Sequence, residues 1–229
     1  KPNTAVPQAF FNKEEGVKKI FTETGAGQWG SSLAFAGQMF GIDIEVFMVK
    51  ISFDQKPYRK LMMQTFGAKC NPSPSSLTDF GQKLLNENPN NPGSLGIAIS
   101  DAIESVVKSE GKAKYSLGSV LGHVLMHQTI NGNEAILQME QAGDYPDIIV
   151  GCTGGGSNLS GLMFPFLGQQ LRGGKKIDII GCEPLSCPSF TKGIYAYDHG
   201  DMAKMTPLIK MHTLGSDFLP PANHSGGLR

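Results

Sequence analysis

Twice along the chain, a short strand-like segment leads into a glycine-rich loop, and the loop leads into a segment with helical periodicity. The two loops cover residues 25–30 and 153–158. Strand-like and helical segments also alternate elsewhere, and strands are predicted at residues 19–23, 42–49, 68–71, 95–100, 114–117, 148–150 and 176–182. Alternating β and α units at this spacing predict an α/β fold with a largely parallel sheet.

The segments between the predicted strands have helical spacing. Helices are predicted at residues 31–40, 55–66, 77–88, 101–109, 124–142 and 159–171, and the helix at 124–142 is the longest of them. The apolar run 148–150 is typical of a parallel strand that is covered on both faces. The first twelve residues show no clear period. Prolines and glycines dominate residues 184–229, which are predicted to be mostly loop with short helices.

Composition and charge exclude several classes of protein. The 229 residues are 40% hydrophobic, as in a globular protein with a core, and 20 basic residues balance 20 acidic ones. We therefore predict neither a nucleic-acid partner nor binding to a membrane surface. The apolar runs are shorter than the roughly 20 residues of a spanning helix. Four irregularly spaced cysteines are typical of reduced thiols, which predicts a cytoplasmic protein.

The second glycine loop has the composition of a phosphate-binding site. Gly154, Gly155 and Gly156 remove every Cβ from the approach of a ligand. Ser157 and Asn158 add side-chain donors at the start of the helix, so the loop can bind several oxygens of a phosphate. The alternative is a glycine turn that only allows tight packing of strand and helix, which does not explain the Ser-Asn pair.

The first loop has the GxGxxG spacing of a dinucleotide-binding turn, but its surroundings do not fit that function. The acidic residue expected about 20 positions later is Glu45, which lies inside a predicted strand and not at its end. Glu23, directly before the loop, would repel a pyrophosphate. A substrate carboxylate bound by the amides of residues 24–28 fits better, with Glu23 beside it as general acid or base. The alternative is that Glu23 is a solvated residue at a strand end.

Two histidines raise the question of a metal site. His123 and His127 are four residues apart and would share one helix face. Neither an HExxH glutamate nor a nearby third ligand accompanies them, so we predict packing for this pair and no metal.

A phosphate site, a carboxylate site and a carboxylic acid together suggest an amino-acid substrate on a phosphorylated cofactor. Pyridoxal phosphate (PLP) is the candidate for that cofactor. It requires a lysine for its Schiff base. The pattern alone does not choose among the lysines of the chain.

Three motifs resemble those of the β chains of tryptophan synthase, and the resemblance extends over essentially all 229 residues. In that family a lysine lies in a short His-Lys-x-Asn segment, an ETGAGQHG loop follows about twenty residues later, and a C-x-GGGSN loop lies far downstream. Here Lys1 and Asn3 open the chain, residues 23–30 are ETGAGQWG, and residues 152–158 are CTGGGSN. Trp29 occupies the position of the usual histidine, and in this the chain resembles the divergent second class of these β chains.

The resemblance implies a role for each residue of the motifs. Lys1 would form the Schiff base and remove the Cα proton, and Glu23 would assist loss of the serine hydroxyl and then remove a proton as indole attacks. The residues that would bind the cofactor are Lys1, Asn3, Gly154, Gly155, Gly156, Ser157 and Asn158. The residues that would bind the substrate are Thr24, Gly25, Ala26, Gly27, Gln28 and Trp29. For Trp29 the alternative is an anchor in the core.

The resemblance also implies a fold, an activity and an assembly. The fold is PLP fold type II: segment 1–15 belongs to the large lobe, residues 16–110 form a smaller mobile lobe, and residues 111–229 form an incomplete large lobe, so terminal segments of the family would lie outside this sequence. The activity is that of a lyase of tryptophan biosynthesis, which converts L-serine and indole to L-tryptophan and water. The assembly is a homodimer that works without the usual α chain. Two alternatives stay open, a PLP-dependent serine or threonine deaminase and a non-catalytic fragment or binding protein.

Overall fold

The computed structural model describes residues 1–221. Their helices and strands are, in chain order, α1 (Pro2–Glu14), β1 (Lys19–Thr24), α2 (Gln28–Phe40), β2 (Asp43–Val49), α3 (Lys50–Gln55), α4 (Pro57–Thr65), β3 (Lys69–Ser73), α5 (Asp79–Glu87), α6 (Leu95–Lys108), β4 (Lys114–Tyr115), α7 (Gly122–His127), α8 (Thr129–Ala142), β5 (Ile148–Cys152), α9 (Ser157–Leu171), β6 (Asp178–Cys182), β7 (Ile194–His199) and β8 (Leu208–Thr213). Within this part of the chain, every helix is too short or too polar to cross a membrane.

Four parallel strands form the sheet that carries the first glycine loop. The strand order is β3-β2-β1-β4, and β1 pairs with β2 from Lys19↔Asp43 to Thr24↔Met48. β1 is therefore a central strand, and its carboxyl end leads directly into residues 25–27 and helix α2. The α/β fold with a largely parallel sheet, predicted from the alternation of segments, is confirmed.

The pleat of β1 directs its side chains into two different cores. Ile20 lies in a cluster with residues of α2, and Phe21 lies in a second cluster with residues of α6. Successive side chains of a strand point to opposite faces of the sheet. Thr22 and Thr24 therefore share the face of Ile20, and Glu23 shares the face of Phe21.

The parallel pair of β5 and β6 packs with helices α8 and α9. Two glycines let these helices approach closely. A Cβ built on Gly132 of α8 would lie 2.3 Å from the backbone oxygen of Leu162, and one built on Gly161 of α9 would lie 2.5 Å from the Cβ of Gln128. Both distances are too short for non-bonded heavy atoms in a close-packed interior, so this packing requires glycine at both positions.

Contacts along the chain divide it into two compact units. The first unit contains Pro2, Thr4–Leu117 and Pro184–Arg229, and the second contains Lys1, Asn3 and Gly118–Glu183. The last part of the predicted large lobe, residues 222–229, lies outside the described residues. The predicted lobes stay a prediction.

The prediction of a strand at residues 95–100 is wrong, because these residues begin helix α6. Ser94 caps the helix, and its side chain accepts a hydrogen bond from the N–H of Ile97 at 3.2 Å. Every residue from Gly96 to Ala102 is buried, so the first two turns have no exposed side. A short apolar run of this kind has the same appearance in the sequence as a buried strand.

The predicted long helix at residues 124–142 is interrupted. It consists of α7 and α8, and Gln128 lies between them. Gln128 packs against Gly161 of α9. Within residues 1–221 the longest helix is α9, with 15 residues.

The predicted strand at residues 148–150 is β5, which pairs in parallel with β6. It is covered on one face and not on both, because Ile149 is buried whereas Ile148 and Val150 are 54% and 57% exposed in the described structure. The apolar run alone therefore overstated how much of this strand is covered.

The two ends of the chain contain structure that the prediction did not assign. Residues 184–229, predicted to be mostly loop with short helices, contain the antiparallel strands β7 and β8. Buried and exposed side chains do not alternate cleanly along either strand, so the two-residue period is missing. Residues 2–12 belong to helix α1, whose buried residues are the small Thr4, Ala5 and Ala9.

Asp101 of α6 is a fully buried carboxyl group that links the helix to the loop after β3. It accepts hydrogen bonds from the hydroxyl of Ser73 at 2.6 Å, from the N–H of Ser75 at 3.1 Å and from the hydroxyl of Thr78. Burial outweighs these bonds and raises the pKa of Asp101 from 3.8 to about 6. Between these two values the folded state holds a proton that the unfolded state has lost.

We expect the contribution of Asp101 to stability to fall as the pH rises from about 4 to 6. In that window each pH unit removes up to about 1.4 kcal/mol from the free energy of unfolding. Asp101→Asn should flatten this part of the pH profile of urea denaturation, whereas replacement of the exposed Asp178 by asparagine should leave it unchanged. Equal slopes for the wild type and Asp101→Asn between pH 4 and 6 would contradict the assignment.

Candidate active site

The second glycine loop ends at the N-terminus of α9. Gly156 is the N-cap residue and has φ of +82°, a conformation that favours glycine, and it has no side chain of its own to cap the helix. A Cβ built on Gly155 would lie 2.7 Å from Val120 Cγ1 and 3.1 Å from Ser119 Cβ, so the loop backbone lies against residues 119–120. The first turn of α9 has free backbone N–H groups, and the glycines before it have no side chains that would keep a ligand away. Both features suit a phosphate group.

The side chain of Lys1 contacts the same segment of chain. Its Nζ donates a hydrogen bond to the carbonyl of Gly118, and Gly155 packs against the two residues that follow Gly118. Asn3 Nδ2 donates to Asn131 Oδ1 of α8 at 3.4 Å. Lys1 and Gly155 thus contact the same short segment, residues 118–120, and the predicted cofactor residues Lys1, Asn3 and 154–158 all belong to the second unit.

The first glycine loop joins the end of β1 to the start of α2. Residues 25–27 are buried and Gln28 is exposed. Gly27, with φ of +95°, is the N-cap residue of α2 and, as a glycine, has no side chain of its own to cap this helix. Thr24 Oγ1 accepts a hydrogen bond from the N–H of Gly30 at 3.1 Å, which ties the strand end to the first helical turn. These backbone N–H groups can bind a small anion such as a carboxylate.

Two further groups near this loop can bind an anion. A Cβ built on Gly27 would lie 2.7 Å from the Cβ of Arg59 in α4, so the aliphatic part of Arg59 packs on the loop. In the first turn of α2, the hydroxyl of Ser31 is buried and has no hydrogen-bond partner among the described residues. Such an unsatisfied hydroxyl costs about 1–3 kcal/mol, which a bound polar ligand would offset.

Glu23 is held in a defined position at the end of β1. The side chain of this residue is buried, with 3% of the residue exposed, and Tyr115 Oη donates a hydrogen bond to Glu23 Oε2 at 2.5 Å. Burial and the nearby Glu23 carboxylate raise the pKa of Tyr115 well above its usual value, so the phenol keeps its proton. The alternative that Glu23 is a solvated residue at a strand end is wrong.

Trp29 lies in the core, on the face of β1 opposite to Glu23. It is 5% exposed and belongs to the cluster that contains Ile20. Its Nε1 donates a hydrogen bond to Thr22 Oγ1 at 2.7 Å, and Thr22 Oγ1 donates to the carbonyl of Ser116 at 2.5 Å. This is the position of a core anchor. The predicted role of Trp29 in substrate binding stays a prediction.

His123 and His127 lie on α7 with their ring centroids 5.9 Å apart. Burial, followed by the charge of His127, lowers the pKa of His123. Within residues 1–221, no group of three or more His, Cys, Asp or Glu side chains is arranged to hold a metal ion.

Three residues that the sequence motifs did not predict lie beside the predicted site residues. Ser31 directly follows the first motif, and its place in the first helical turn was a usable signal. Arg59 and Tyr115 belong to none of the motifs. They meet the site through helix packing and strand pairing, which have no local signature in the sequence.

Comparison with known proteins identifies the family. The family model described as "Pyridoxal-phosphate dependent enzyme" matches residues 4–223. This match spans both glycine loops and Glu23. It includes two of the three short motifs and begins after Lys1 and Asn3.

Two curated relatives are similar to the chain over its whole length. Tryptophan synthase beta chain 2 of Thermotoga maritima is 59% identical over 229 residues, which are 100% of this chain and 54% of that protein. Tryptophan synthase beta chain 2 of Aeropyrum pernix is 57% identical, and the match covers 100% of this chain and 51% of that protein. The chain thus spans about half the length of the curated relatives it matches.

Solved structures share the fold at low sequence identity. A threonine deaminase from T.th. matches with a TM-score of 0.58 and 20% identity over 82% of this chain and 51% of that chain. A diaminopropionate ammonia lyase from Escherichia coli, in the apo form, matches with a TM-score of 0.60 and 16% identity over 80% of this chain and 48% of that chain. The predicted PLP fold type II is confirmed, and the chain belongs to the family of pyridoxal-phosphate dependent enzymes.

Proposed function

We propose that this chain carries active-site residues of a tryptophan synthase β chain of the second class, which converts L-serine and indole to L-tryptophan and water. One observation carries the proposal. Lys1 bonds to Gly118, and Gly155 packs against Ser119 and Val120. The amine that would bind the cofactor's aldehyde and the loop that would bind its phosphate therefore contact the same segment, residues 118–120. Relatives named tryptophan synthase beta chain 2, at 59% and 57% identity, support the same function.

The second unit offers groups that fit PLP. Residues 154–158 would bind the phosphate through the N–H groups at the start of α9 and the hydroxyl of Ser157. Lys1 would hold the cofactor through Nζ and then remove the proton from the substrate Cα. Asn3, two residues from Lys1, would help to orient the cofactor. When bound, the cofactor supplies the electron sink that makes the Cα–H bond breakable.

The first unit offers groups that fit the substrate. The N–H groups of residues 24–28 would bind the carboxylate of L-serine, and Trp29 would support the loop from the core. Glu23 would give a proton to the serine hydroxyl, which leaves as water. As a carbon of indole bonds to the substrate Cβ, the Glu23 carboxylate would accept the proton that indole loses. Lys1 would return a proton to Cα, which completes L-tryptophan.

Product analysis of the complete protein tests this function. The purified protein, loaded with PLP, is incubated with L-serine in the presence and absence of indole. We expect L-tryptophan only when indole is present. Pyruvate without tryptophan would contradict the proposal in favour of a deaminase. An absence of any product, together with no absorbance from bound PLP, would contradict it in favour of a non-catalytic binding protein.

We also propose that the protein is a cytoplasmic homodimer that works without an α chain and has a mobile lobe at residues 16–110. The family resemblance supports the dimer and the lobe. No disulfide joins the four cysteines, as in proteins of a reducing compartment. Light scattering of the purified complete protein tests the dimer, since a monomer mass would contradict it.

A further inference from the structure

We infer that Tyr115 is a positioning residue for Glu23 and fixes the carboxylate that carries out acid–base chemistry, an inference that rests on the proposed function. Tyr115 lies outside all three motifs. Its phenol is nevertheless the group that donates a hydrogen bond to Glu23 Oε2, at 2.5 Å. Hydrogen bonds to a charged acceptor are short and about twice as strong as bonds between neutral groups.

Strand register brings the two side chains together. β4 pairs with β1 in parallel, with Ile20 opposite Lys114 and Phe21 opposite Tyr115. Glu23 lies two residues after Phe21, so Tyr115 and Glu23 are on the same face of the sheet. Diagonal neighbours on one face are about 7–8 Å apart, a gap that the long tyrosine side chain can span. Phenylalanine at this position would keep the ring and remove only the donor.

Packing fixes the position of the phenol. The Tyr115 ring lies against a buried cluster formed by β1, β2 and α6, which includes Phe21, Phe47 and Ala98. A packed ring leaves its hydroxyl little freedom, so the bond orients the Glu23 carboxylate.

The phenol itself is not an acid at neutral pH. Burial, then the charges of Glu23 and Asp201, raise the pKa of Tyr115 well above its usual value. Asp201 follows β7. Burial alone would raise the pKa of Asp201, but hydrogen bonds from Thr206, Met205 and Ser100 outweigh burial, so the pKa of Asp201 is lowered. Tyr115 therefore stays a hydrogen-bond donor throughout the working pH range of an enzyme.

The charged groups of the neighbouring elements have partners of their own. On the strands, Lys19 pairs with Glu45 and Lys114 pairs with Glu15. On α6, the carboxyl group of Asp101 bonds to the loop after β3, and Glu104 pairs with Lys108. A substitution of Tyr115 therefore removes a hydrogen bond to Glu23 and leaves these other charged pairs in place.

Tyr115→Phe in the complete, PLP-loaded protein tests the inference. We expect kcat for tryptophan formation to fall about 10- to 100-fold, because a hydrogen bond to a charged group is lost. The limb of the kcat profile that reports the ionisation of Glu23 should move to higher pH, because the ionised carboxylate loses a donor. Exchange of the Cα proton of L-serine with solvent deuterium, which depends on Lys1, should stay near the wild-type rate. Tyr58→Phe is the matched control, because Tyr58 is 83% exposed.

Two further measurements separate positioning from a general structural effect. Tyr115→Phe should slow the wild type but have little further effect on Glu23→Gln, as expected when one residue acts through the other. In cofactor-free protein, carbon-13 NMR of the Glu23 carboxyl, assigned with Glu23→Gln, should show a titration midpoint at higher pH in Tyr115→Phe. Should Tyr115→Phe fail to fold, Glu23→Gln gives the reciprocal test, in which the Tyr115 phenol should titrate at lower pH.

The inference is overturned if Tyr115→Phe leaves kcat, its pH profile and the Glu23 titration unchanged, or if it slows Glu23→Gln as much as it slows the wild type. An unchanged Tyr115 titration in Glu23→Gln would overturn it as well. Failure of the proposed function has a different signature. In that case the wild type forms no tryptophan from L-serine and indole, while the NMR titration still reports whether Tyr115 and Glu23 are coupled.

Discussion

Lys1→Ala in the complete protein should reduce tryptophan formation by a factor of at least ~10³, because the same amine is proposed to hold the cofactor and to move the Cα proton. In the wild type, PLP should give an absorbance band near the edge of the visible range. Reduction with borohydride should then leave a cofactor adduct that mass spectrometry locates on Lys1. Both signals should be absent in Lys1→Ala.

Lys13→Ala is the control for that experiment, because Lys13 is an exposed lysine at the other end of α1. This variant should keep the absorbance band, the adduct on Lys1 and the wild-type rate. An adduct on a lysine other than Lys1, or substantial tryptophan formation by Lys1→Ala, would reject the assigned role.

Gly132→Ala should destabilise the second unit by roughly 1–3 kcal/mol, the usual cost of overpacking a core. The added Cβ would lie 2.3 Å from the backbone oxygen of Leu162 and 2.7 Å from the ring of Pro165, so α8 and α9 must move apart. Because α9 begins with the residues proposed to bind phosphate, the affinity for PLP should fall as well. Urea denaturation and titration with PLP measure the two effects.

Gly122→Ala provides the matched comparison for this substitution. Gly122 is also near the start of a helix, but a Cβ built there has no atom within 4 Å. The substitution should be neutral or raise the free energy of unfolding by about 0.4–1 kcal/mol, since alanine restricts the unfolded chain. Equal stabilities of the two variants would contradict the argument from helix packing.

The two glycine loops could be predicted because their signals are local. Each follows a strand and begins a helix, and Gly27 and Gly156 have positive φ at the N-cap positions. A positive φ favours glycine, so a glycine between a predicted strand and a predicted helix is sufficient to identify such a loop. Glu23 was selected by its place directly before the first loop, and the motif resemblance then added Lys1, which the pattern alone could not choose among the lysines.

Several segments could not be assigned from local pattern because their burial depends on distant residues. Residues 95–100 are apolar whether they form a strand or the start of a helix packed on the sheet, and Ser94 was the one local sign of the helix. At residues 148–150 the apolar run was identified as a strand, but its coverage depends on which other elements lie on its faces.

By itself, the sequence determined the α/β alternation, the strand–loop–helix units at the two glycine loops and the chemical groups that these loops carry. Only the tertiary structure decided which side chains meet: Tyr115 bonds to Glu23 across 92 positions, and Trp29 bonds to Thr22 on the opposite face of the same strand. The physical reason is that strand register and pleat assign neighbours and faces together, and both follow from the pairing of segments far apart in the chain.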